Sequence, residues 1–142
     1  MKTRVGRLGS MDREQWAMLY ARLALGTAFL SAVASRFGLY GKASSGFKNF
    51  LQYTAEVNSF MPAATIPYLV WGATVAELSL GIALILGIWL RWTALGAAVL
   101  LAIFGTAMAI SFGIKSPMDY SVFSASAAAV LLALCAGRRA AS

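Results

Sequence analysis

The chain has 142 residues, of which 60% are hydrophobic and only 12% are charged. Soluble domains carry about 25% charged residues, so this composition excludes an ordinary soluble protein and indicates an integral membrane protein. The net charge of +7 is not taken as a sign of nucleic acid binding, because membrane proteins concentrate Lys and Arg in cytoplasmic segments. With no histidine and one cysteine, Cys135, the sequence offers no ligand set for zinc, an iron–sulfur cluster or a histidine-ligated haem, and no internal disulfide.

Four apolar segments are long enough to cross about 30 Å of hydrocarbon, which takes about 20 helical residues. We therefore predict an all-α membrane protein, a four-helix transmembrane bundle between two basic cytoplasmic tails. The first span contains one charge, Arg22, and the second contains one charge, Glu77, whereas the other two spans contain none. The predicted segments are a tail at 1–15, spans at about 16–36, 66–88, 93–113 and 119–136, and a tail at 137–142.

A connection of roughly 30 residues separates the first two spans, which is long for a loop without structure of its own. Within residues 37–65, apolar side chains recur at intervals of three and four, as at Phe47, Phe50, Thr54 and Val57. Polar side chains fill the other positions, so the pattern predicts an amphipathic helix on the membrane surface or folded over the bundle.

The remaining connections are short. Residues 89–92 leave room only for a tight hairpin between the second and third spans. Pro117 cannot continue a helix interior, and we expect Asp119 to cap the fourth helix by accepting from its first N–H groups.

Basic residues predict the orientation, because they are enriched in cytoplasmic loops. Seven lie on the face that holds the termini, against four on the other face, so we expect both termini in the cytoplasm of a bacterial-type inner (plasma) membrane. The first group is Lys2, Arg4, Arg7, Arg13, Arg91, Arg138 and Arg139; the second is Arg36, Lys42, Lys48 and Lys115.

Ionisable side chains inside a membrane are costly and therefore mark candidate functional sites. Glu77 lies about eleven residues from each end of its span, near the midplane. Arg22 lies about six residues inside the first span, and its long side chain can bridge the remaining difference in depth. We expect the two to form an intramembrane pair, which either neutralises both charges or takes part in proton chemistry.

Small residues recur on one face of each span, as at Gly105, Ala109 and Gly113 on the third, which are four positions apart. On the second span, Ala73 and Gly81 lie four positions to either side of Glu77. Such repeats let helix backbones approach closely. They favour a compact bundle over a wide pore.

Two stretches of the sequence are more specific than general hydrophobicity. One is Arg22-Leu23-Ala24-Leu25-Gly26, and the other, more specific, runs from Ala76 to Ala94 and includes Glu77, Gly81, Gly87 and Arg91. Together they resemble the DoxX family. The resemblance covers about residues 16–135 and implies a four-helix membrane protein. It also implies a link to membrane redox chemistry, because the family is named for a membrane subunit of a thiosulfate:quinone oxidoreductase.

Two functions are compatible with these features. The first is a small accessory subunit, not catalytic by itself, that associates with other membrane protein subunits in a redox or energy-converting complex. The alternative is a quinone-reactive subunit of a membrane oxidoreductase, in which Glu77 relays a proton and Arg22 or Tyr20 orients a quinone carbonyl. Arg91 is a further candidate for contact with a quinone or a lipid headgroup. Quinone is the one cofactor expected, and the expected partners are the lipid bilayer and other membrane protein subunits.

Overall fold

A computed structural model describes residues 11–142, which form six α-helices and two short 3-10 turns. Four helices are long and apolar enough to cross a membrane, which confirms the predicted helical membrane bundle. The amphipathic helix predicted between the first two spans is present as well. The helices are α1 (Arg13–Arg36), α2 (Phe47–Val57), α3 (Ile66–Leu86), α4 (Leu90–Phe112), α5 (Lys115–Asp119) and α6 (Val122–Ala141).

The first and last helices extend into the segments predicted as tails. Helix α1 begins at Arg13 because Asp12 and Gln15 form a capping box: the Asp12 carboxylate accepts from the Gln15 N–H, and the Gln15 side chain accepts from the Asp12 N–H. Helix α6 continues to Ala141, so most of the predicted tail at 137–142 is helical. Residues 1–10 of the predicted N-terminal tail lie outside the described residues.

Asp119 does not cap the last spanning helix, contrary to expectation. It is the final residue of α5, where its carboxylate pairs with Lys115 one helical turn earlier. Helix α6 begins after Ser121, which has a left-handed backbone and makes no side-chain capping bond.

The spanning helices are arranged as two close pairs, α1 with α3 and α4 with α6. Glycine allows the first contact: a Cβ on Gly26 would lie 3.0 Å from the Gly81 carbonyl oxygen. Alanine allows the second, because Ala94, Ala97 and Ala129 are completely buried. The small residues thus bring helix backbones together within each pair, as predicted.

A tight hairpin joins the two pairs, again as predicted. Gly87 ends α3 in the left-handed conformation that glycine adopts without strain. Trp89 precedes α4 in the same region of backbone space, with φ 42° and ψ 48°, and its side chain is 82% exposed. Helix α2 lies across the opposite end of the bundle against α3 and α4, where the Ser111 hydroxyl of α4 donates to the Val57 carbonyl.

Candidate functional site: a buried ion pair beside an apolar cavity

Glu77 forms an ion pair with Arg36, and both side chains are almost completely buried, at 6% and 5% exposure. Arg36 is the last residue of α1, and Glu77 lies in the middle of α3. The sequence predicted Arg22 as the partner of Glu77, and this prediction is wrong. Arg36 is also not the surface loop cation assumed in the count of basic residues.

Arg36 is held from two further directions. Its Nη1 donates to the Thr74 hydroxyl at 3.2 Å, and that hydroxyl donates to the Val70 carbonyl one turn earlier in α3 at 2.8 Å. On the other side, the Arg36 Cζ lies 3.6 Å from the centroid of the Phe50 ring of α2, a cation–π contact. The guanidinium is therefore fixed between α3 and α2.

Glu77 is held less completely. Its Oε2 atom is buried and accepts no hydrogen bond beyond the contact with Arg36. A buried carboxylate oxygen ordinarily accepts several hydrogen bonds. Among the described residues, the Arg36 guanidinium is therefore the group that compensates the charge of this oxygen.

A cavity of about 380 Å³ lies beside the ion pair, between the two helix pairs and under α2. This volume is within the usual range of small-molecule sites, about 300–1,000 Å³. The wall is mostly apolar and aromatic, and its polar groups are few. The lining includes Arg36, Glu77, Thr54 and Asn58 as polar groups, Phe50, Tyr53, Tyr68 and Phe104 as aromatic groups, and Leu69, Leu100 and Met108 among the aliphatic groups.

The bundle is less compact than the small residues predicted, because it contains this cavity. Those residues allow close contacts within each pair. For example, Gly105 of α4 packs against the Phe123 ring of α6, and a Cβ on Gly105 would lie 2.8 Å from the nearest ring atom. Gly113 meets nothing within 4 Å. In the seam between the pairs, small residues such as Gly72, Ala73 and Ala107 line the cavity instead of closing a helix contact.

The other candidate residues lie away from this cavity. Arg22 donates from Nη2 to the Ile85 carbonyl at 2.9 Å, near the end of α3. Arg91 lies at the same end, with its Cζ 5.2 Å from the Trp92 ring and its stem against Gly137. Tyr20 is 78% exposed on the surface of α1. Of the candidates from the sequence, only Glu77 lines the cavity.

Among residues 11–142, no group of three His, Cys, Asp or Glu side chains lies close enough together to hold a metal ion. The polar chemistry that the cavity offers is therefore that of one guanidinium, one carboxylate and a few neutral side chains.

The fold and the site define a class of protein: a four-helix integral membrane protein with a buried ion pair beside an apolar cavity. The family model DoxX matches residues 17–110, which include α3 and nearly all of α1 and α4. The chain belongs to the DoxX family. No curated protein and no solved structure matches it significantly.

Proposed function

We propose that this DoxX-family protein is an accessory subunit of a membrane redox or energy-converting complex, and that its cavity binds the head group of a quinone. The buried Arg36–Glu77 pair beside the cavity is the observation that carries the proposal. We place the protein in a bacterial-type inner membrane with both termini in the cytoplasm, so that α2 covers the outer side of the cavity.

The residues fit a quinone head group in polarity and in shape. A guanidinium has five N–H donors, and Thr74 and Glu77 engage only Nη1 of Arg36, so further donors remain for a ring carbonyl. The aromatic rings of Phe50 and Phe104 line the same cavity and offer flat apolar surfaces to a planar ring.

Reduction of a quinone consumes two electrons and two protons. In the accessory role, both the electrons and the protons come from the partner complex. In the alternative role of a quinone-reactive subunit, Glu77, the carboxylic acid in the cavity lining, relays one of the two protons and the partner complex supplies the other. The sequence contains no histidine and one cysteine, so the proposal assigns the supply of electrons to the partner complex.

Quinone binding is tested on the purified protein in phosphatidylcholine nanodiscs with a short-chain quinone. We expect Arg36→Met to weaken binding at least tenfold, because it removes the donors while keeping an apolar side chain. Tyr20→Phe is the control, since Tyr20 lies on the outer surface of α1, and its affinity should equal that of the wild type. Equal affinity of Arg36→Met and wild type, with both folded, contradicts the proposed site.

A structural and a proton-transferring role of Glu77 are separated by Glu77→Gln, which keeps the shape but carries no titratable proton. The measurement is the electron-transfer rate per assembled complex, together with the fraction assembled. The accessory role predicts an unchanged rate. A fall of at least tenfold with assembly intact, or about 1.4 kcal/mol of transition-state stabilisation, identifies Glu77 as a proton-transfer residue instead.

A further inference from the structure

Arg22 presents a second guanidinium, partly buried, at the end of the bundle that holds the termini. Its Nη2 donates to the Ile85 carbonyl, and its Nη1 packs so closely on the hairpin that a Cβ on Gly87 would lie 2.8 Å from it. Its Nε is buried and has no hydrogen-bond partner among the described residues. The carbonyls at the end of α3 attract a cation, but they supply only about half an elementary charge.

No carboxylate side chain of the chain neutralises Arg22. The sequence contains five acidic residues, and none falls within residues 1–10. Each of the five is engaged by another side chain. They are Asp12, Glu14, Glu56, Glu77 and Asp119.

A pocket of about 240 Å³ opens beside this guanidinium. Its polar wall contains Gln15, Arg22 and Arg139, and its apolar wall includes Met18 and Leu90. The pocket lies where α1 begins and α6 ends, which is the level of the lipid headgroups for helices of this length. Side chains on a helix tilt toward its N-terminus, so Arg22 extends from the apolar part of α1 toward that level.

We propose that this pocket binds a phosphate group, supplied by an anionic phospholipid of the leaflet on the side of the termini. A planar guanidinium matches phosphate in geometry and charge. Of the two arginines in the pocket wall, Arg139 pairs with Asp12 and Glu14, whereas Arg22 has no carboxylate partner. Met18 and Leu90 offer an apolar surface to the first part of an acyl chain. The proposal is independent of quinone binding, because the cavity lies along the first half of α3 and the Arg22 pocket lies near its last turn.

The test measures lipid retained on the purified protein by native mass spectrometry, from nanodiscs containing equal amounts of phosphatidylglycerol and phosphatidylcholine. The wild type should retain phosphatidylglycerol at least tenfold over phosphatidylcholine, and Arg22→Met should lose this preference. The matched control is Arg138→Met, at the same end of the bundle but outside the pocket, with a side chain that is 74% exposed. Its preference should equal that of the wild type.

Two further arms decide the remaining outcomes. Arg22→Lys keeps the charge but loses the planar guanidinium, so the folded variant should retain several-fold less phosphatidylglycerol than the wild type. If Arg22→Met does not fold, this variant tests whether Arg22 binds the phosphate. A second experiment adds inorganic phosphate to the protein in phosphatidylcholine nanodiscs and measures the Tm. If phosphate raises the Tm of the wild type but not of Arg22→Lys, and the wild type shows no preference for phosphatidylglycerol, the occupant is a soluble phosphate. No preference and no phosphate effect, or equal retention by wild type and both Arg22 variants, overturns the proposal.

Discussion

Gly26 of α1 and Gly81 of α3 face each other so closely that a Cβ on Gly26 would lie 3.0 Å from the Gly81 carbonyl oxygen, and a Cβ on Gly81 would lie 3.2 Å from the Gly26 carbonyl oxygen. This contact sets the register of the two helices. The register in turn determines which arginine of α1 reaches Glu77.

Taking the two glycines as level, Glu77 lies four residues from Gly81 toward α2, about 6 Å along the axis. Arg36 lies ten residues from Gly26 in the same direction, about 15 Å, whereas Arg22 lies about 6 Å in the opposite direction. Arg36 is therefore nearer to Glu77, by about 9 Å against about 12 Å. Side chains also tilt toward the N-terminus of their own helix, which turns Arg36 and Glu77 toward each other and Arg22 away.

Replacing Gly26 by alanine should destabilise the protein by about 1–3 kcal/mol, the usual cost of overpacking, because backbone as well as the Ile85 side chain must shift. The measurement is unfolding by a denaturing detergent in mixed micelles. Gly72→Ala is the matched control on α3, since nothing lies within 4 Å of its Cβ position. It should be neutral or stabilising by up to about 1 kcal/mol; equal losses in both variants contradict the close contact.

Arg36 and Glu77 should be strongly coupled in a double-mutant cycle. Each single change, Arg36→Met or Glu77→Gln, leaves its partner buried without compensation, at a cost of about 3–5 kcal/mol. The double variant should lose much less than the sum of the two. Arg22→Met combined with Glu77→Gln is the control cycle, and it should be additive within about 0.5 kcal/mol because the two residues share no partner.

Asp12 should make stability depend on pH in the acid range. The hydrogen bond from the Gln15 N–H, and then Arg139, hold the pKa of Asp12 below its ordinary value of 3.8. The ionised carboxylate therefore stabilises the fold at pH values above 3.8, and this contribution is lost as the pH falls through the lowered pKa. In Asp12→Asn, the asparagine side chain can still cap α1, but it carries no charge to pair with Arg139. The Tm difference between wild type and Asp12→Asn should vanish on acidification; a constant difference argues against the pair.

Reporter fusions test the orientation. Because Arg36 is buried against Glu77, it no longer counts as a basic residue of the outer loops, and Lys42, Lys48 and Lys115 remain. The excess of basic residues on the face that holds the termini is therefore larger than the sequence count suggested. Fusions at Arg91 and Arg139 should report the cytoplasm, and a fusion at Lys48 should report the outside. A periplasmic signal at Arg139 contradicts the proposed topology.

Much of the fold could be predicted because hydrophobic length and periodicity are local properties. They indicated the four spans, an amphipathic helix within residues 37–65 and a hairpin at residues 89–92. The partner of Glu77 depends on how two distant helices align, and depth along single helices does not determine this. The Gly26–Gly81 register and the tilt of the side chains contain the missing signal. The contact of Phe50 with Arg36 has no such signal, because it depends on how α2 folds back over α3.

The left-handed backbone at Trp89 has a consequence for how the protein is anchored. Such a conformation costs a residue other than glycine about 1–2 kcal/mol, and the exposed indole gains little from packing within the protein. We infer that contact of the indole ring with the interfacial region of the bilayer offsets this cost, since tryptophan at the interface fixes the depth and tilt of a span. Trp89→Gly should then stabilise the protein in detergent micelles, yet increase the tilt disorder of α3 and α4 in oriented bilayers as seen by solid-state NMR.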